Sequence, residues 1–262
     1  MTTRELLLSV WQPGLIAPLT CVLALSAYAV RFRRRHEARA AFFVLAVALF
    51  FVALASPIGV LARGYLFSAH MLQHLLLMLA VPPLILLGLP READSVPRER
   101  SAFALAGPWL AGVGAMWIWH APMLCNAAAV STMVQWVQTG SLLVMGLLFW
   151  YPVLAPRLSN RLPVFTGVLY LFAACVGCTI LGIMVTLSPV EVCSVYAHPV
   201  DSLGVMPLVR DGWGLSHRAD QELGGLMMWV PACLVYAAAI LATLGRYYGG
   251  EHRATHALGG AE

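Results

Sequence analysis

Seven apolar runs, each about as long as a bilayer is thick when helical, organise the chain: Gln12–Val30, Ala40–Leu61, Ser68–Leu89, Ala102–Trp119, Met133–Leu154, Pro163–Leu187 and Leu223–Leu244. A spanning helix needs roughly 20 mostly apolar residues. Lipid cannot satisfy open backbone groups, so the spans must be helical. The pattern predicts an all-α polytopic transmembrane bundle of about seven helices. Residues 1–262 form a single integral membrane domain in this reading, with a long external loop over 188–222. The step Val81-Pro82-Pro83 should end or kink the third span, because proline removes a helix donor and crowds the preceding turn.

Composition supports lipid as the solvent. Apolar residues make up 60% of the chain and charged residues only 11%, against about 25% charged in a soluble domain. The sixteen basic residues are all arginine, and they give a net charge of +4. They sit in short gaps between apolar runs rather than on one basic face, which speaks for topology and against nucleic-acid binding. The first, third and fifth loops and the C-terminal tail hold twelve of them, and the N-terminus and the second, fourth and sixth connections hold four. That bias predicts an N-terminus outside and a C-terminus in the cytoplasm. Ser26-Ala27-Tyr28-Ala29 faintly resembles a signal-peptidase site, but Arg31, Arg33, Arg34 and Arg35 follow at once and resist translocation, so the run reads as a retained helix.

Polar chemistry gathers at the external ends of the runs. His70, His74 and Met78 are spaced i, i+4, i+8 on one helical stripe at the start of the third span, with Met71 beside it. Paired imidazoles with thioether neighbours suit Cu(I), although histidines here could equally hydrogen-bond to neighbouring helices. His120 follows Trp117-Ile118-Trp119 at the end of the fourth span, at the same depth in this topology. The short connection between the two spans would let three imidazoles converge. Met123 and Cys125 come next and could add soft ligands; alternatively Cys125 could form a disulfide with Cys193. Asp220 suits a helix N-cap, or a carboxylate that orients a metal-bound imidazole. Gly224 and Gly225 would permit close helix packing. Cys175 and Cys178, with Met184 further on, could belong to a soft-metal path or simply pack as small hydrophobes. His198, His217, His252 and His256 are weak signals. The chain has no lysine for a retinal Schiff base, and it lacks a phosphate-cradling Gly-rich loop, a GxSxG elbow and an HExxH pair. No residue reads as a nucleophile, so an enzyme is not expected.

The segments HMLQHLLLMLAVPPLILLGLP from His70, WIWHAP around His120, GLLFWYPVL from Gly146 and DQELGGLMMWVPACLVY from Asp220 together resemble the CtaG-type cytochrome c oxidase assembly factor family over about Ser56 to Gly245. The resemblance implies a seven-span protein of the bacterial inner membrane that serves maturation of haem-copper oxidases, at the copper B centre. It implies His70, His74, His120 and Asp220 as the functional set, with Met71, Met78 and Met228 as softer contributors. Copper, as Cu(I), would be the metal. The oxidase catalytic subunit and a periplasmic copper donor would be the partners. One departure stands out. Many family members carry a His-x3-His pair at the start of the fifth span, where this chain has Gln135 and Thr139. Two other readings fit the residues: a haem-b electron-transfer module ligated by His120 and either His70 or His74, and a metal-free scaffold for an oxidase subunit.

Overall fold

Among the described residues every regular element is helical. The computed structural model describes residues 2–32, 37–91 and 102–259. Arg33, Arg34, Arg35, Arg98 and Arg100, which carry part of the sidedness expectation, lie outside the described residues. The elements are α1 (Thr3–Ser9), α2 (Ile16–Phe32), α3 (Glu37–Ala55), α4 (Pro57–Leu61), α5 (Phe67–Gly88), α6 (102–119), α7 (Pro122–Val130), α8 (Thr132–Leu154), α9 (Val164–Leu187), α10 (Ser194–Ala197) and α11 (His217–Gly259). All seven apolar runs become helices. Among the described residues four helices are long and apolar enough to cross a membrane: α5, α8, α9 and the His217–Tyr248 part of α11. The apolar stretches Ile16–Phe32, Arg39–Ala55 and Leu105–Trp119 are shorter.

The central helix, α5, does not end at its prolines. It runs on to Gly88, and the five residues before Val81 widen into a π-helix, Leu76–Ala80. Pro82 has no N–H for the Met78 carbonyl, so a regular helix would bury that acceptor unpaired. The wider turn turns the carbonyl outward, and the Trp150 indole N–H of α8 donates to it at 3.1 Å. A neighbouring helix thus repairs what the proline removed. Replacing Trp150 by phenylalanine should therefore cost about 1–3 kcal/mol, the usual penalty for orphaning a buried acceptor. The check is the thermal midpoint in detergent. Trp109 is the control, because its buried indole N–H has no partner among the described residues, and Trp109→Phe should leave the midpoint unchanged or raise it.

At the far end of α5 the last carbonyls are also met. The Tyr28 hydroxyl donates to the Gly88 carbonyl at 2.7 Å, and Arg39 donates to the Leu89 carbonyl at 2.8 Å. A cation at a helix C-terminus suits the helix dipole.

The glycine pair does allow close packing. A Cβ at Gly224 would stand 2.5 Å from Phe67 Cδ1 and 3.1 Å from Met71 Cγ, so α11 presses on the first turns of α5. A Cβ at Gly225 would meet the Thr186 backbone of α9. Lower down, Gly182 of α9 receives the Trp229 ring of α11. Small residues at such crossings let backbones approach where lipid supplies no hydrophobic drive. At the same end of the bundle, Leu6 and Val10 bury against Val60, Leu61, Val205 and Val209. The N-terminal helix and the 198–216 loop therefore cover the end of the bundle where α5 begins.

Candidate functional site

The backbone that opens α5 needs an acceptor, and its own sequence supplies none: Leu66 at the N-cap position makes no side-chain cap. The first turn of any helix leaves N–H groups without intrahelical partners. Asp220, from the first turn of α11, fills the gap. Its carboxylate accepts from the Phe67 N–H at 2.8 Å and the Ser68 N–H at 3.0 Å. Asp220 is thus a cap for another helix, not for its own, and it hydrogen-bonds to no imidazole. Its negative charge also faces the positive end of the α5 dipole.

One and two turns further along α5 come His70 and His74, 2% and 1% exposed. Their ring centroids are 4.3 Å apart. His120 caps the end of α6, 5% exposed, with its ring 5.4 Å from that of His74 and edge-on to it. The three imidazole rings are thus neighbours in this part of the bundle. Four nitrogens, both on His70 and both on His74, have no hydrogen-bond partner among the described residues. Buried polar atoms are ordinarily satisfied by protein or ordered water, so these four make the pair a candidate for a bound ligand or water. The Ala62 backbone neighbours His70 and the Gln138 amide neighbours His74, though not at hydrogen-bonding geometry. The Gln138 amide nitrogen is itself buried and unpartnered.

His120 is different because both its nitrogens are engaged. Nδ1 lies 2.5 Å from the Met116 carbonyl, which only an N–H can face favourably. In the neutral tautomer that fits this contact the proton is on Nδ1. Nε2 is then a bare lone pair, and it faces Met71 Sδ at 3.0 Å. Thioether sulfur has no proton to give. In that tautomer two donors of electron pairs face each other in a buried pocket.

Around this pair, Met71, Met78, Met116 and Met228 share one buried cluster with Phe67, Trp119 and Tyr196. The Tyr196 ring lies 5.5 Å from that of His70, and its hydroxyl donates to the Ala62 carbonyl at 2.8 Å. Burial first, and then the Asp220 charge, push its phenol well above the ordinary range, which keeps it a donor. Tyr196, Gln138 and the Met116 carbonyl are the members of the site that sequence reading missed. Only Met116 had a spacing signal, four residues before His120.

The remaining expected residues scatter. Met123 is 79% exposed and Met184 is exposed too. Cys125 is bonded to Cys193, with Cα atoms 6.0 Å apart, so the disulfide alternative is the one the structure adopts. It ties α7 to the loop that carries Tyr196, and Asn126 Oδ1 adds a hydrogen bond from the Val195 N–H at 3.0 Å. Cys178 meets the Tyr236 hydroxyl and Cys175 meets Cys233. Gln135 and Thr139 line a cavity of about 220 Å³ with Gln12, Arg63 and Gln73. Among the described residues no three His, Cys, Asp or Glu side chains converge as a ready metal cage. The three imidazoles meet ring to ring, and His120 Nε2 faces a thioether.

A family model described as cytochrome c oxidase caa3 assembly factor (Caa3_CtaG) matches residues 24–249, a stretch that contains His70, His74, His120 and Asp220. No curated protein and no solved structure matches the chain. Since that match takes in most of the sequence, the chain belongs to the cytochrome c oxidase caa3 assembly factor family.

Proposed function

We propose that this assembly factor holds Cu(I) in transit, as cargo for a haem-copper oxidase, between His120, Met71 and the His70–His74 pair. The observation that carries the reading is the 3.0 Å approach of His120 Nε2 to Met71 Sδ, with the other ring nitrogen, Nδ1, turned to the Met116 carbonyl. A small soft cation relieves two facing lone pairs by accepting both. Rotation of His74, whose ring nitrogens are unpartnered, adds a third donor. Imidazole and thioether are borderline-to-soft, neutral ligands, which favours Cu(I). Neutral ligands also fit the lower charge: the cost of burying an ion rises steeply with charge, and no carboxylate joins these donors to offset a second positive charge. A site without thiolate releases its metal readily, as a carrier must.

The arginine bias sets the N-terminus outside, which puts the site at the outer leaflet of the bacterial inner membrane. A periplasmic donor could then load it, and the oxidase catalytic subunit could take the metal without its crossing the whole bilayer. Asp220 holds the His-bearing helix in place through two backbone N–H groups.

Titration of the purified protein with Cu(I) against a chromogenic chelator tests the ligand set. Met71→Leu should weaken binding about tenfold, or roughly 1.4 kcal/mol, while Met123→Leu should not change it. Equal affinities in both variants would remove Met71 from the site. Full oxidase activity in cells carrying the histidine variants would instead favour the scaffold reading.

A further inference from the structure

Below the histidines, α9 and α11 run antiparallel in close contact, and their register brings two cysteines together. Cys175 Sγ of α9 lies 2.6 Å from Cys233 Sγ of α11. The Thr179 hydroxyl, one turn along α9, stands 3.2 Å from the Cys233 sulfur on another side. Cys178 is buried and faces the Tyr236 hydroxyl at 3.7 Å, so it takes no part in the pair. Sulfurs that merely pack as small hydrophobes keep ordinary van der Waals separation, and these two are well inside it. A metal bridging them would hold the sulfurs at about twice a metal–sulfur bond of roughly 2.3 Å when linear, and further apart than they are here at any open angle. A sulfur–sulfur bond of about 2.05 Å needs only a small closing movement.

We propose that Cys175 and Cys233 are a dithiol–disulfide couple whose oxidised form bonds α9 to α11 within the membrane. Both cysteines are partly exposed, and the surrounding Phe172, Val176, Val230 and Leu234 are exposed apolar residues, so the pair opens toward lipid. A polar thiol reductant such as glutathione has no path through that surface. The fitting oxidant is a lipid-soluble two-electron acceptor of the quinone class. The two S–H bonds break and one S–S bond forms, and both protons and both electrons pass to the quinone, giving the hydroquinone. The Thr179 hydroxyl can donate to the Cys233 sulfur as it becomes the attacking thiolate. The bond would fix the seam whose end carries Asp220, and through it the start of α5.

The test is mass spectrometry of the purified full chain in detergent. The protein is first reduced, then exposed to a short-chain quinone, and its thiols are then alkylated under denaturing conditions. A cross-linked peptide joining Cys175 to Cys233 is expected after quinone, with Cys21 and Cys178 alkylated. Reduction should abolish the cross-link. In Cys233→Ser, Cys175 should become fully alkylated, and Cys178→Ser should leave the cross-link unchanged. Full alkylation of both Cys175 and Cys233 after quinone would overturn the proposal. So would a Cys175–Cys178 product, or protection that depends on added Cu(I) and disappears with a chelator without any cross-linked peptide.

Discussion

Asp220→Ala is expected to destabilise the protein by about 3–5 kcal/mol, the largest effect of any single substitution considered. The carboxylate is 1% exposed and accepts two backbone N–H groups that have no other partner at the start of α5. Each hydrogen bond to a charged group contributes about 1.5–3 kcal/mol, and buried donors left unpaired cost a comparable amount. Against a total stability of 5–15 kcal/mol for typical folds, such a loss should lower the thermal midpoint sharply in detergent. Asp220→Asn should fall between the two, since an amide offers one oxygen and turns a donor toward the second N–H. The variant should also lose Cu(I), although Asp220 touches no imidazole, because it holds the helix that carries His70 and His74. An unchanged midpoint in Asp220→Ala would show that the two backbone hydrogen bonds are not what fixes that helix.

The second large effect concerns metal alone. His70→Ala, His74→Ala and His120→Ala combined should lower Cu(I) affinity by at least about a hundredfold. Disturbing only the groups that support metal ligands costs 10–100-fold, and here the ligands themselves go. The fold should suffer less than in Asp220→Ala. Four of the six imidazole nitrogens removed have no hydrogen bond to lose. Among the single variants, His120→Ala should bind Cu(I) least well, because it removes the one nitrogen already aimed at a sulfur. Competition titrations and melting curves on the same samples separate the two kinds of loss.

Much of this site was legible in the sequence for simple geometric reasons. A four-residue spacing places His70 and His74 on one face of a helix whatever surrounds it. His120 could be added because spans that alternate direction bring the end of one beside the start of the next. Asp220 was visible as an important residue, but its partner was not. Capping in trans joins residues more than 150 positions apart, and no local pattern records that. Met78, on the stripe, and Met71, beside it, are both thioether candidates by spacing. Only the placement of α6 singles out Met71, by setting His120 Nε2 against its sulfur. Tyr196 lies in the long loop with no periodicity to mark it. The prolines predict an end or a kink when α5 is considered alone; the helix runs on through a π-helical segment, and the indole of Trp150 takes up the carbonyl that Pro82 leaves unpaired. The Cys175–Cys233 contact depends on the register of two helices, which hydropathy cannot supply.

X-ray absorption at the copper edge, on Cu(I)-loaded protein, tests the central claim most directly. The account predicts a low-coordinate Cu(I) centre with imidazole nitrogen and one thioether sulfur. The sulfur contribution should vanish in Met71→Leu and persist in Cys175→Ser. A spectrum with nitrogen or oxygen ligands only, or one whose sulfur survives Met71→Leu and disappears with the cysteines, would contradict it.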